Sequence, residues 1–90
     1  MDVKAVAQTA KTYVADLFSD EGIINVGLEE VEFDEDQNKW IVTVGFSRPW
    51  DRRNLIDALE QPGRSYKVLH IADTDGRVLS LEDRVLSKRN

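Results

Sequence analysis

The sequence has no cysteine, one histidine and two prolines among its 90 residues. The lack of cysteine excludes disulfide bonds, thiolate nucleophiles, iron–sulfur clusters and cysteine-based zinc sites. No long apolar run follows the N-terminus, so the sequence predicts neither a signal peptide nor a membrane span, and we expect a cytoplasmic protein without a membrane partner. With 41% hydrophobic and 32% charged residues, the composition is typical of a globular chain, and its length fits one domain over residues 1–90.

Negative charge predominates but is unevenly distributed, and the formal net charge is −5. Residues 1–47 carry ten carboxylates against three lysines, whereas residues 48–90 carry nine lysines and arginines against seven carboxylates. An acidic surface repels phosphate backbones, whose binding depends on clustered Lys and Arg. Nucleic acid is therefore not expected as a general partner.

The N-terminal segment has the apolar spacing of an amphipathic helix. Apolar residues recur every three or four positions, which places them on one stripe of a helix from about Val3 to about Asp20. Gly22 suits the left-handed residue that closes a helix, and Ile23 is placed to pack back on the last turn. The stripe consists of Val3, Val6, Ala7, Ala10, Tyr13, Val14, Leu17 and Phe18.

After the helix the apolar period changes to two, which predicts a long first strand over residues 24–34. The phase slips at Glu29-Glu30, and one extra residue there, a β-bulge, keeps the apolar residues on one face. A polar loop then leads to a second strand over residues 39–47. One side of the second strand is apolar and carries Trp40, Val42, Val44 and Phe46.

The second half of the chain predicts a short helix and a closing hairpin. Pro49 and Trp50 break the strand pattern, and Asp51 suits the N-cap of a short helix that ends before Pro62. The elements that follow are a third strand over residues 66–72, an Asp-Gly turn over 73–76 and a fourth strand over 77–81.

These elements predict an α+β fold. The short connections make the sheet antiparallel, and the long amphipathic helix must cover one of its faces. We therefore expect an N-terminal helix packed on a four-stranded antiparallel meander sheet, with a short second helix between strands 2 and 3.

Groups able to perform catalysis are few. His70 is the only histidine, it falls in a predicted strand, and no Ser lies in a Gly-x-Ser-x-Gly context. Asp34, Asp36 and Asn38 have the spacing that begins a calcium loop, but Lys39 stands where that loop requires Gly. We expect no catalytic site, no metal site and no cofactor.

Two features predict a surface for a protein or peptide partner. Alternation places Ile41 and Thr43 on the side away from the helix, and on the third strand either Leu69 and Ile71 or Tyr66 and Val68 share that side. We expect Leu69 and Ile71 inside, which leaves an apolar patch that includes Tyr66, Val68 and Val78 on the far side, while Glu30 and Glu32 lie on the hydrated face. The loop after the second strand holds a Trp among arginines, residue types that are enriched at interface hot spots. The candidate binding residues are Ile41, Thr43, Tyr66, Val68 and His70 on the sheet and Arg48, Trp50, Arg52 and Arg53 in the loop.

Residues 66–79 read Tyr-Lys-Val-Leu-His-Ile-Ala-Asp-Thr-Asp-Gly-Arg-Val-Leu. This segment resembles the closing hairpin of PepSY-type domains, which follows the pattern Tyr-x-Val-x-x-Asp-x-x-Thr-Gly-x-Val. A helix wrapped by an antiparallel meander is also similar to cystatin-like folds. The resemblance implies an inhibitory or peptide-binding module that contacts a peptidase or a secreted partner.

The sequence thus favours a non-catalytic protein- or peptide-interaction domain, for which the resemblance implies an inhibitory role, with a homodimer as one candidate assembly. An alternative is a small ligand-binding or enzymatic domain with a pocket between the helix and a curved sheet, where Tyr66, His70 or Arg64 supplies polar groups. A third hypothesis is a local nucleic-acid patch, whose members are Arg48, Arg52, Arg53, Arg64 and Lys67.

Overall fold

The computed structural model describes residues 1–48 and 64–84 of the chain. Within these residues there is one α-helix, and the second helix predicted between strands 2 and 3 lies outside them and is not confirmed. The described elements are α1 (Val3–Leu17), a 3₁₀ turn (Ser19–Glu21), β1 (Ile24–Asp34), β2 (Lys39–Ser47), β3 (Arg64–Ala72) and β4 (Val78–Asp83).

Helix α1 begins at a side-chain cap and ends in a tightened turn. The Asp2 carboxylate accepts a hydrogen bond of 2.8 Å from the backbone N–H of Ala5, which satisfies one of the free donors of the first turn. The α-helix ends at Leu17, earlier than predicted, because the chain narrows to a 3₁₀ turn before Gly22. Gly22 has φ 65°, the left-handed conformation that the sequence predicted.

The four strands form an antiparallel meander in the order β1-β2-β3-β4, which confirms the predicted sheet. The pairing of β1 with β2 shifts between Leu28 and Glu30, where the sequence predicted a bulge. A further shift between Ile24 and Gly27 was not predicted. Asn25 lies in it with φ 58°, a backbone conformation that Asn tolerates better than most residues.

The hydrophobic core lies between α1 and one face of the sheet. Helix α1 lies over β1, β2 and β3, and the residues that meet there are fully buried. They come from the predicted stripes of the helix and the second strand and from alternate residues of β3. The core residues are Val6, Ala10, Val14, Val42, Val44, Phe46, Leu69 and Ile71.

Strand β4 has a register that corrects one prediction. Its pairing with β3 shifts between His70 and Ile71, and the shift places Val78 opposite Ile71 on the helix side. Val78 packs against the core there, so its predicted place on the far face is wrong. The strand also continues to Asp83, beyond the predicted end at Leu81.

The predicted β3–β4 turn anchors Trp40 of β2. Gly76 has φ 74°, and the Asp73 carboxylate accepts hydrogen bonds from Trp40 Nε1 at 2.8 Å and from the N-terminal amine at 3.2 Å. The bond from Trp40, followed by the bond from the amine, holds the pKa of Asp73 below its ordinary value of 3.8. The carboxylate thus stabilises the fold above that pH, and the contribution is lost as the pH falls through the lower folded-state pKa.

We expect Asp73→Asn to lower the thermal midpoint at pH 7 and to flatten its fall below about pH 4, because the titrating group is gone. Thermal unfolding followed by circular dichroism from pH 7 to pH 2 measures both effects. Asp36→Asn, in the exposed β1–β2 turn, is the matched control and should keep the wild-type pH profile. Identical profiles for Asp73→Asn and the wild type would contradict the anchor.

Candidate functional site

The sheet side opposite α1, here called the open face, carries every second residue of each strand. The pairings place Tyr66 beside Gly45, and the backbone N–H of Arg84 donates to the Tyr66 carbonyl. The structure therefore brings together the five predicted residues of the sheet. The two central rows of the open face are Glu32, Ile41, His70 and Ser80, and then Glu30, Thr43, Val68 and Glu82.

The apolar residues at the centre of the open face are only partly accessible. Ile41, Tyr66, Val68 and His70 are half-buried, and Thr43 is 5% exposed. The sequence predicted a more open apolar patch.

An ion pair lies over Gly45 at one end of the open face. Arg64 Nη2 is 3.2 Å from Glu29 Oε2, and a Cβ added at Gly45 would lie 2.8 Å from the first atom and 2.9 Å from the second. The missing side chain at position 45 therefore makes the room for the pair. Beside it, the guanidinium of Arg84 lies 5.7 Å from the centre of the Tyr66 ring, a cation–π distance.

His70 contacts an acid but has no triad geometry. Its Nε2 is 3.5 Å from Glu82 Oε2, whereas its Nδ1 is buried with no hydrogen-bond partner among the described residues. This arrangement favours the tautomer with the proton on Nε2, since Nδ1 then needs no acceptor. Ser80 stands opposite His70 in the register, but a triad requires the acid and the hydroxyl on different ring nitrogens. The described residues therefore form no triad at His70, and its predicted place among the binding residues stays a prediction.

Arg48, which the sequence grouped with the binding residues, lies on the helix side. Its Nε is 2.6 Å from Glu21 Oε1, and its Nη1 donates to Ser65 Oγ at 2.7 Å. The guanidinium also lies 5.0 Å from the Phe46 ring centre and 5.7 Å from that of Phe18. Arg48 differs in side from the sheet candidates because one step along the strand from Ser47 reverses the side-chain direction, and its binding role stays a prediction.

The basic residues proposed as a nucleic-acid patch do not form one in residues 1–48 and 64–84. Arg64 lies on the open face with Glu29, while Arg48 lies on the helix side. Lys67 is also on the helix side, where it bonds Asp83 and lowers the pKa of that carboxyl. Each is paired with a carboxylate, so little positive charge is left to attract phosphate. The other loop residues predicted for binding, Trp50, Arg52 and Arg53, lie outside the described residues.

A shallow groove of about 570 Å³ runs between α1 and the start of β4. It differs from the pocket predicted from sequence, because Tyr66, His70 and Arg64 are on the open face and core side chains fill the space beneath α1. No group of three or more potential metal ligands occurs in the described part of the chain. The groove is lined by Gln8, Thr9, Thr12, Tyr13, Asp16, Gly76, Arg77 and Val78.

Two residues of the open face were missed in the sequence. Glu82 and Arg84 follow the predicted end of the fourth strand, yet they continue the alternation that begins at Ser80. The apolar signal fades after Leu81, which is why the pattern alone ended the strand there. In the sequence after Leu81, the alternation of polar residues was the only signal that the strand continues.

No protein-family model, curated protein or solved structure matches this chain. The resemblance to PepSY-type and cystatin-like domains accordingly stays a prediction from the sequence.

Proposed function

We propose that this protein is a non-catalytic domain of the cytoplasm that binds a protein or peptide through the open face. The observation that carries the proposal is the composition of that face. Ile41 and Val68 occupy its centre, the Tyr66 ring lies next to them toward one end, and charged residues of the edge strands flank them. An apolar centre within a charged rim is the arrangement of protein–protein interfaces.

The two faces of the sheet differ in how far their apolar side chains are buried, and this difference supports the proposal. Helix α1 buries the helix side completely at Leu69 and Ile71, whereas Ile41 and Val68 on the open face keep part of their surface in water. A partner that covered these side chains would remove apolar area from water, which stabilises a complex. Tyr66 and Arg84 are also of the residue types that most often dominate binding energy.

Three further points concern a membrane span, an inhibitory role and the identity of the partner. No helix in the described residues is long and apolar enough to cross a bilayer. An inhibitory role is the narrower form of the proposal and rests on the PepSY-type resemblance alone. Light scattering after size exclusion determines whether the partner is a second copy of the chain.

The groove between α1 and β4 supports a second candidate function, the binding of a small polar molecule. Its volume of about 570 Å³ lies within the usual range of ligand sites. Gln8, Thr12 and Asp16 offer polar atoms there, and Tyr13 and Val78 offer apolar surface. Because the groove is shallow, it would cover little of such a ligand, and we place it second.

Site-specific photo-crosslinking in the native cell tests the proposal. Tyr66 is replaced by p-benzoylphenylalanine, which keeps an aromatic ring on the open face. The matched control carries the same replacement at Tyr13, which is 39% exposed and lines the groove. We expect a covalent adduct of defined mass from position 66 and none from position 13.

The crosslinking result separates the candidates. An adduct from position 13 alone would overturn the open-face proposal and move a protein contact to the groove. A Val68→Glu substitution in the position-66 protein should abolish the adduct, because a carboxylate at the apolar centre opposes burial. An adduct that survives this substitution would also contradict the proposal.

A further inference from the structure

We infer that the partner presents a cationic amphipathic helix, with an apolar stripe flanked on both sides by Lys or Arg. This inference rests on the proposed function of the open face. It adds the chemistry and the secondary structure of the segment that binds there.

The charges of the two central rows indicate a basic partner. Glu30 and Glu32 stand at the β1 side, Glu82 stands at the β4 side, and no Lys or Arg occupies either row. Glu30 and Glu32 are exposed and form no ion pair within the described residues. Burying carboxylates without partners is costly, whereas basic side chains on the partner would pair with them.

The distance between the two acidic edges fits a helix. Strands β1 and β4 are three strand spacings apart, roughly 14 Å at about 4.8 Å each. A helix with its side chains is about 10–12 Å wide, so its flanks can reach both edges while its apolar stripe rests on Ile41 and Val68. An extended peptide lying along the strands is about one strand spacing wide, so its backbone would lie near one edge only.

The Gly45 end of the open face gives the helix a direction. Arg84 lies there over Tyr66, beside the Arg64 that Glu29 already neutralises. The negative end of a helix dipole, or an acidic residue in the last turn, would be favourable beside Arg84. We therefore orient the partner helix with its C-terminus toward Tyr66.

A second copy of the chain fits this face less well. Two open faces placed against each other would bring the carboxylates of the central rows near those of the other copy. The cations of this face, Lys39, Arg64 and Arg84, lie outside the central rows. Like charges buried together lower affinity. Charge complementarity thus selects a basic partner over a homodimer.

Three synthetic 16-residue peptides test the inference by fluorescence anisotropy. The first is helical, with a Leu stripe flanked by Lys, and the second replaces each Lys with Glu. The third has the Leu and Lys composition of the first in a strictly alternating, extended pattern. Each is titrated into the wild-type chain, into Glu30→Gln/Glu32→Gln/Glu82→Gln and into Val68→Glu.

We expect the helical Lys peptide to bind the wild type, and to lose about tenfold in affinity with the triple variant, since each exposed charge pair contributes modestly. Val68→Glu leaves the charged rim unchanged but places a carboxylate in the apolar centre, so this variant should no longer bind the Leu stripe of the peptide. Stronger binding of the Glu or the alternating peptide would overturn the inference but leave an open-face function standing. Absent binding, or binding unchanged in both variants, would overturn the inference, and the crosslinking at Tyr66 then decides the proposed function separately.

Discussion

Replacing Leu69 with alanine is expected to lower the free energy of unfolding by about 2–5 kcal/mol. Leu69 of β3 is fully buried in the core between the sheet and α1, so its truncation removes apolar contacts and leaves a cavity that the close-packed core can fill only in part. A domain of this size has roughly 5–15 kcal/mol of stability in total, so the loss is a large share of it. Urea unfolding at pH 7 measures the change.

Val68, the preceding residue of β3, provides the matched control. It points to the open face and is half-buried, and Val68→Thr keeps the branched shape while adding a hydroxyl that water can reach. We expect a loss below about 1 kcal/mol, as for most substitutions away from the core. Equal losses for Leu69→Ala and Val68→Thr would contradict the division of the sheet into a sealed and an open face.

Replacing Arg48 with alanine is expected to cost about 1–2 kcal/mol of stability, because the change removes a pair with Glu21 and two aromatic contacts. The Arg48 stem also covers the rings of Phe18 and Phe46, which would gain exposure to water. Arg84→Ala is the control, since Arg84 is exposed and contacts one ring. Its loss should be smaller than that of Arg48→Ala.

The Arg48 substitution also tests whether this residue binds a partner. Because Arg48 lies on the helix side, crosslinking from Tyr66 should persist in Arg48→Ala once the protein is folded at the assay temperature. If Arg48→Ala instead abolished the adduct without changing the free energy of unfolding, the predicted binding role of Arg48 would be supported.

The sequence predicted the order of the described elements because the signals were local. The period of three and four gave α1, the period of two gave the strands, and the Asp-Gly turn gave the last hairpin. Val78 was misplaced because a shift in pairing opposite His70 reverses side-chain direction, and no apolar pattern marks it. The end of α1 was misplaced because the change to a 3₁₀ turn leaves the spacing of apolar residues intact.

The centre of the candidate site was predictable and its rim was less so. Alternation along β2 places Ile41 away from the helix, and along β3 it leaves two choices, of which the expected one, with Leu69 and Ile71 inside, is the one that the strand pairing shows. The ion pair of Glu29 and Arg64 over Gly45 joins residues 35 positions apart, which only the strand pairing brings together. Long-range contacts between charged residues leave no period in the sequence.

Solvent paramagnetic relaxation enhancement of methyl groups tests the central claim most directly. An inert soluble gadolinium chelate is added to the protein with labelled Ile, Leu and Val methyls, and Leu79, which is 48% exposed, serves as the reference. The two-faced sheet predicts clear enhancement at Ile41 and Val68 and almost none at Leu69 and Ile71. Protection of Ile41 and Val68 equal to that of Leu69 would contradict an open face available for binding.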